Sequence, residues 1–414
     1  MKRLPALHWQ ILAALVAGGL CGWAVGDPML KIAFLGDLFL RGLKMVIVPL
    51  VSASIICGVT GVGDPRQLGR LGARTFAYYV ATSLLAIVTG LVLVNLIEPG
   101  VGIDLGLRQQ PDQLQASLAA YGESPWQAIV RLFLDMVPSN PIAAMAEGNI
   151  LQIIFFCLLF GLFITRLPEG PRVTLTGFFD ALFQAIMGVT HFVLAFAPIG
   201  IFALVAKMVA TTGTSAFAGL GLYAVTVAVG LAVHAGITLP LGLFLLARVS
   251  AARHVQAMSP ALMTAFSTSS SSATLPLTLD CLETRSGVSN RTASFVAPLG
   301  ATVNMDGTAL YECVAAMFIA QAYGVDLSFG QQFLVVMTAL LASIGAAGIP
   351  MAGLVMISVV LTAVGLPLEG VGLILAVDRI LDMCRTTVNV WSDSCGAVVV
   401  ARSQGEEPYS DRSS

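Results

Sequence analysis

The sequence predicts an all-α integral membrane protein, and three observations carry that prediction. The 414-residue chain is 57% hydrophobic and only 11% charged, with a mean hydropathy of +0.88, whereas soluble domains carry about 25% charged residues. Apolar stretches long enough to cross a hydrocarbon layer recur along the chain. Beyond residue 248, polar groups interrupt the apolar stretches as short patches and one long stripe. Backbone groups in lipid must be satisfied internally, so the spans are helices.

The bulk numbers also exclude function classes. With a net charge of −2 and no basic patch, the chain offers nothing to nucleic acid. Cys21, Cys57, Cys157, Cys281, Cys313, Cys384 and Cys395 stand singly, without CxxC or Cys/His metal spacing. They read as small buried hydrophobes. His8, His191, His234 and His254 lie far apart and read as structural. No cleavable signal peptide is expected, because the first apolar segment lacks a small-residue cleavage site and runs on as a span.

In chain order, Lys2 and Arg3 precede a first span at about 7–26, and a short linker leads to a second at about 33–60. A loop at 61–75 with Arg66, Arg70 and Arg74 is expected before a third span, 75–97. A polar segment, 98–123, follows. The stretch 124–165 reads as an amphipathic helix broken at Pro138-Ser139-Asn140-Pro141, then an apolar span. Residues 174–209 form a span kinked at Pro198, and 214–247 another. With a cytoplasmic N-terminus, arginines at 66/70/74, 166/172, 248/253 and 285/291 fall in alternate loops. The opposite loops carry only Lys31 and Arg108, so the positive-inside rule places both termini in the cytoplasm.

The pattern then changes. The run Ser267 to Pro276 contains six hydroxyl residues before its first apolar neighbour, yet apolar residues flank it on both sides. A linker would not be bracketed in this way, so it reads as the tip of a re-entrant hairpin lining a cavity. Gly300 to Thr308 places Asn304, Asp306 and Gly307 inside an apolar helix (about 290–324), which would unwind it and free carbonyls. Ser343 to Gly353, between apolar arms 332–341 and 354–364, reads as a second hairpin. Hairpin, broken helix, hairpin and polar helix are the pointer to a secondary transporter with its site at the midplane.

The polar helix follows. At about 100° per residue, Asp378, Asp382, Arg385, Asn389 and Asp393 fall within roughly an 80° sector over roughly 22 Å of rise. Each ionised group in lipid costs several kcal/mol unless paired or facing water, so such a stripe marks function. A channel would also use re-entrant loops, but an arginine in the pathway favours a solute carrier. An enzyme is disfavoured, since the serine run has no nearby His or Lys base.

Together these motifs resemble the dicarboxylate/amino acid:cation symporters, the glutamate transporter family, itself a standard example of inverted-repeat architecture. The similarity covers nearly the whole chain: Leu43 to Leu50, Asp135 to Pro141, the serine tip, Asn304-Met305-Asp306-Gly307-Thr308, Gly348-Ile349-Pro350 and the last helix. The resemblance implies eight transmembrane helices and two re-entrant helical hairpins per protomer, inverted repeats, a homotrimer and elevator-type transport. It assigns 1–74 (spans 1–2) and 124–213 (spans 4–5) to a scaffold, with 404–414 as a cytoplasmic tail. The mobile transport domain would comprise span 3, in 75–123 with its external loop, and 214–403 with span 6, hairpin 1, span 7, hairpin 2 and span 8. A bacterial-type member would sit in the plasma membrane, the bacterial inner membrane.

By the same resemblance, Arg385 holds the substrate's side-chain carboxylate, a role that suits its planar fork. Asp382 receives the amino group, and Ser271, Thr308, Gly353, Thr386 and Asn389 complete the shell. An acidic amino acid, glutamate or aspartate, is the implied substrate. No cofactor is expected; Na+ is the coupling ion. One Na+ site is implied at Gly300, Asn304, Asn389 and Asp393, a second at Thr302, Met305, Ser343, Ile344 and Ala346, and a third at Tyr79, Thr82, Ser83, Asn304 and Asp306. Glu312 matches the glutamate of proton-coupled members and is the candidate H+ carrier. The alternatives kept open are a proton-driven glutamate symporter without Na+ and a C4-dicarboxylate symporter. The chain departs from the family at Ser269 and Met383, where many members carry a second arginine. Arg379, three residues before Asp382, is placed to reach the same acid. Met351 is unusual after Pro350.

Overall fold

The structure, a computed structural model, describes residues 7–60, 65–102, 134, 137–212, 216–344 and 352–409. Among the described residues every regular element is helical and no strand occurs. Helix α1 (Leu7–Val25) leads through a 3-10 turn (Asp27–Ile32) to α2 (Ala33–Thr60) and α3 (Pro65–Ile97). The charged segment expected as a loop up to residue 75 is therefore helical from Pro65. Proline suits a first helical turn because its missing N–H has no acceptor there.

Next come α4 (Pro141–Glu147) and α5 (Ile150–Ile164). Asn140 caps α4, its Oδ1 accepting the amides of Ile142 at 3.0 Å and Ala143 at 3.2 Å, and Gly148 ends it at φ 74. The expected kink at Pro198 is a break: α6 (Glu169–Ala195) stops and α7 (Ala197–Thr212) restarts with the proline in its first turn. Helices α8 (Ala216–Val233) and α9 (Leu239–Ala247) are one run loosened by a π turn at His234–Thr238.

The interrupted last third contains α10 (Ala251–Thr268) and α11 (Ser271–Asp280), then α12 (Asn290–Val303) and α13 (Asp306–Ala322). It closes with α14 (Phe329–Ile344), α15 (Ala352–Val364) and α16 (Val371–Ser403). The second hairpin tip, including Ala346 and Met351, lies outside the described residues.

By length and composition, three described stretches suffice to cross a membrane: Leu71–Ile97, Glu169–Thr190 and Leu220–Ala247. Shorter apolar helices include Gln152–Ile164, Ala197–Lys207 and Phe329–Ile344. Exposure is inverted relative to a soluble protein. Leu96 is 75% and Phe192 66% exposed, while Arg385 is 1% exposed, a distribution suited to an apolar surround.

The helices pack as two sets. In one, α2 contacts α5, α6 and α7, and α1 lies along α7; in the other, α16 is wrapped by α8 to α13 while α3 packs on α13. The last described residues belong to the second set. Tyr409 donates its amide to Ser286 O (3.0 Å), and its hydroxyl lies 2.5 Å from His254 Nδ1 and 2.8 Å from Ser286 Oγ. Burial pushes the Glu406 carboxyl up, but the Thr292 hydroxyl, the Ser289 amide and hydroxyl, and the Arg291 charge outweigh it. The net position is below the usual carboxylate range.

Candidate functional site

The site is built on α16, whose polar stripe faces inward: Asp378, Asp382, Arg385, Thr386, Asn389, Ser392 and Asp393 are all buried. Its neighbours are α13, the break before α13, and the hairpin arms α11 and α15. The break spans Asn304 (φ −103°, ψ 79°) and Met305 (φ −109°, ψ 58°). An asparagine and an aspartate there compete with the helical backbone, and the chain restarts at Asp306. Gly307 sits so close to α16 that an added Cβ would meet Arg385 O at 2.7 Å and Arg385 Cα at 3.0 Å. Glycine is what lets the first turn of α13 reach the stripe, and the Gly307 amide donates to Asn389 Oδ1 at 2.8 Å.

At one end lies a buried cation. Arg385 Nη2 donates to Asp378 Oδ1 and to Asp382 Oδ1, each at 3.0 Å. Arg379 Nη1 reaches Asp382 Oδ2 at 3.6 Å. The Arg385 guanidinium carbon stands 3.7 Å from the centroid of the Tyr311 ring, a cation–π arrangement. The guanidinium also lies against Gly353, where a Cβ would meet Nη1 at 2.7 Å. Yet Arg385 Nε and Nη1 are buried without a hydrogen-bond partner among the described residues. Buried donors of this kind are costly to leave unpaired. Nearby, Asn389 Nδ2 donates to Thr308 Oγ1 at 3.2 Å.

About two turns further along α16 the chemistry reverses, and oxygens dominate. Asn304 Nδ2 donates to Asp393 Oδ1 (2.9 Å) and Ser392 Oγ (3.0 Å). Asp306 accepts from Ser83 Oγ and from Ser392 Oγ, both at 2.6 Å. Thr82 Oγ1 stands 3.4 Å from both Asn304 Oδ1 and Asp306 Oδ1. His234, on the π turn, places Nε2 3.1 Å from Asp306 Oδ2. Tyr79 donates to Val296 O at 2.7 Å. No described group of three His, Cys, Asp or Glu side chains could hold a metal ion. The donors instead are carboxylate, amide and hydroxyl oxygens, a set for a hard cation.

The structure distributes the other expected residues around these two centres. Gly300 packs against the Asp393 carboxylate and the Tyr79 hydroxyl. Thr302 ends α12, bonded to Leu299 O, and Met305 is buried in the break, with its sulfur 3.9 Å from Thr308 Oγ1. Ser343 and Ile344 end α14, which contacts α12. Ser271 begins α11 beyond a tip where Ser269 adopts φ 52° and Ser270 caps the helix by accepting from Ala273 N at 3.1 Å. Helix α11, which Ser271 begins, packs on α16. Glu312, 0% exposed, holds both carboxyl oxygens without a partner among the described residues.

With this geometry established, the relation to known proteins is direct. The profile of the sodium:dicarboxylate symporter family matches residues 7–403. The chain belongs to the sodium:dicarboxylate symporter family. It is 40% identical over 459 residues to excitatory amino acid transporter 3 of Mus musculus, covering 98% of this chain and 87% of that protein. It is 37% identical over 416 residues to the proton/glutamate-aspartate symporter of Escherichia coli (strain K12), covering 97% and 94%. The proton/sodium-glutamate symport protein of Bacillus caldotenax is 34% identical over 413 residues, covering 98% and 96%.

For this symporter, sequence reasoning missed three residues that the structure brings to the centres: Tyr311, His234 and Ser392. Tyr311 precedes Glu312 and reads as an aromatic in an apolar run. His234 stands alone in its segment, more than 70 residues from Asp306. Ser392 carried a signal, since it adjoins the stripe, one position before Asp393.

Proposed function

We propose that the protein is a secondary active symporter that takes up acidic amino acids, L-glutamate and L-aspartate, coupled to Na+. The observation that carries this reading is the Arg385 environment. A fully buried guanidinium keeps two donors unspent among the described residues beside Asp382, while an oxygen cluster for cations lies about 12 Å away along the same helix, given 1.5 Å rise per residue. The free donors suit a substrate carboxylate, Asp382 suits its ammonium group, and Asn389, Thr308, Thr386, Gly353 and the Ser271 helix end suit the α-carboxylate.

Two features support Na+ sites. One is the cluster of Asp306, Asn304, Thr82, Ser83 and Tyr79. The other is Asp393 with the carbonyls around Gly300, Asn304 and Asn389. The donor set Thr302, Met305, Ser343, Ile344 and Ala346 would complete a third when the second hairpin closes. Cations that bind better with substrate present transfer gradient energy to it by linkage. The two packing sets suit an elevator in which the α16 set moves against the α2 set within a homotrimer of the inner membrane, both termini cytoplasmic.

A second coupling ion, H+, has its own support: Glu312 is buried and has no partner among the described residues, and the Escherichia coli relative is a proton/glutamate-aspartate symporter by name. The test is uptake of labelled aspartate and glutamate into proteoliposomes with Na+, H+ and K+ gradients imposed separately. Accumulation that needs Na+ supports the reading, and full-rate uptake without Na+ overturns it. Glu312→Gln should abolish any H+ dependence and leave Na+ dependence intact.

A further inference from the structure

On the outer side of the cation cluster, α3, α9 and the end of α16 enclose a crevice of about 580 Å³. Leu239, Val399 and Val400 form its inner wall, and Leu85 and Leu246 its rim. Both rim residues are more than half exposed, so the crevice opens outward from the helix bundle, where an apolar surround is required. Tyr78 and Thr82 line its inner side, and Thr82 is also a member of the cation cluster.

One end of the crevice is charged. Arg74 lines it and spends Nη1 on the carbonyl of Ser403. No acidic side chain is among the described lining residues. A guanidinium has five N–H donors, so a fork remains for an oxyanion. Arg70 and Arg66 stand about one and two turns earlier on the same helix, and the positive-inside pattern assigns this end to the cytoplasm. From Arg74 to Leu85 the helix rises about 16 Å, close to the half-thickness of a ~30 Å hydrocarbon layer. The crevice thus has a cation at leaflet-surface height and an apolar trough reaching toward the midplane.

We propose that this crevice binds an anionic phospholipid of the cytoplasmic leaflet, its phosphate on Arg74 and one acyl chain lying along α3 against Tyr78. Charge complementarity selects the headgroup, and the trough length selects a chain rather than a small anion. Through Thr82 the lipid touches the wall of the cation cluster. The proposal rests on the membrane reading, but it is read out as lipid binding and so stands or falls independently of uptake.

The test is native mass spectrometry of the purified, delipidated full chain titrated with phosphatidylglycerol or phosphatidylethanolamine. Phosphatidylglycerol should be retained preferentially, and Arg74→Gln should lower that preference about fivefold, as one basic residue near the membrane surface warrants. Gly242 lines the crevice, and a Cβ there meets no atom within 4 Å. Gly242→Leu should therefore fill the trough and remove one bound lipid of either kind, with no fall in the thermal transition. An unchanged lipid count in Gly242→Leu, or an unchanged preference in Arg74→Gln, overturns the proposal. A free fatty acid that outcompetes phosphatidylglycerol overturns the phospholipid assignment. Arg74→Gln, a substitution at the rim, carries the test alone should Gly242→Leu fail to fold.

Discussion

Replacing Arg385 with methionine separates two jobs that one side chain performs. Its Nη2 lies 3.0 Å from a carboxylate oxygen of Asp378 and of Asp382. At an effective dielectric constant of about 20, each attraction amounts to roughly 5.5 kcal/mol. Desolvation of the three ions offsets much of this, and removing one partner of a buried ion pair costs about 3–5 kcal/mol net. Arg385→Met should therefore lower the thermal transition of the purified protein markedly. The double variant Arg385→Met/Asp382→Asn removes one of the two stranded charges and should recover part of that loss. Binding should behave differently. Loss of a charge-assisted fork to the substrate carboxylate costs about 3 kcal/mol, so aspartate affinity should fall by about a hundredfold. The double variant should not restore it, because Asp382 is assigned to the substrate ammonium. Thermal unfolding and isothermal aspartate titration, run on the same preparations, measure the two effects. Aspartate affinity within threefold of the parent in Arg385→Met would refute the assignment of Arg385 to substrate. Equal stability of the single and double variants would refute the ion-pair account.

Three other outcomes follow from the geometry. Gly307→Ala drives a methyl into the Arg385 backbone, which cannot swing aside, and should cost about 1–3 kcal/mol of stability; an unshifted unfolding transition in detergent counts against that close approach. Ser83→Ala removes a 2.6 Å hydrogen bond to Asp306, and the Na+ concentration for half-maximal uptake should rise about tenfold, read from Na+ titration of uptake. Glu406 has a folded pKa below its unfolded value. Its contribution is therefore fully present above about pH 4.3 and is lost as pH falls through the folded value. Glu406→Gln should flatten the acid limb of a stability profile, and an unaltered limb would exclude this carboxyl as its source.

Much of the fold was legible because polarity in an apolar chain is expensive. The serine run and the Asn304–Gly307 interruption could be placed from sequence since neither makes sense as an exposed linker or an intact span. The reach of Arg385 to Asp382 follows from i,i+3 spacing, and that to Asp378 from two turns of the same helix. The start of α3 was not legible. Three arginines suggested a loop, whereas Pro65 opens a helix whose Arg74 bonds to Ser403, a partner 329 residues away. His234 illustrates the same limit. Nothing near it in sequence signals that a π turn aims its ring at Asp306, because tertiary packing supplies the partner. The Arg385 donors left without a partner among the described residues are likewise visible only in three dimensions.

The tail bonds have a consequence in time. Tyr409 is bonded to Ser286, 123 residues earlier. At about 5–20 residues per second of synthesis, the base of the first hairpin waits roughly 6–25 s for its last clasp to be made. Until then the serine-tipped hairpin is held by its own arms, by α12 and by whatever part of α16 has been inserted. Assembly factors and proteases of the membrane would meet the newborn carrier in this unclasped form, for as long as Tyr409 is still to be added.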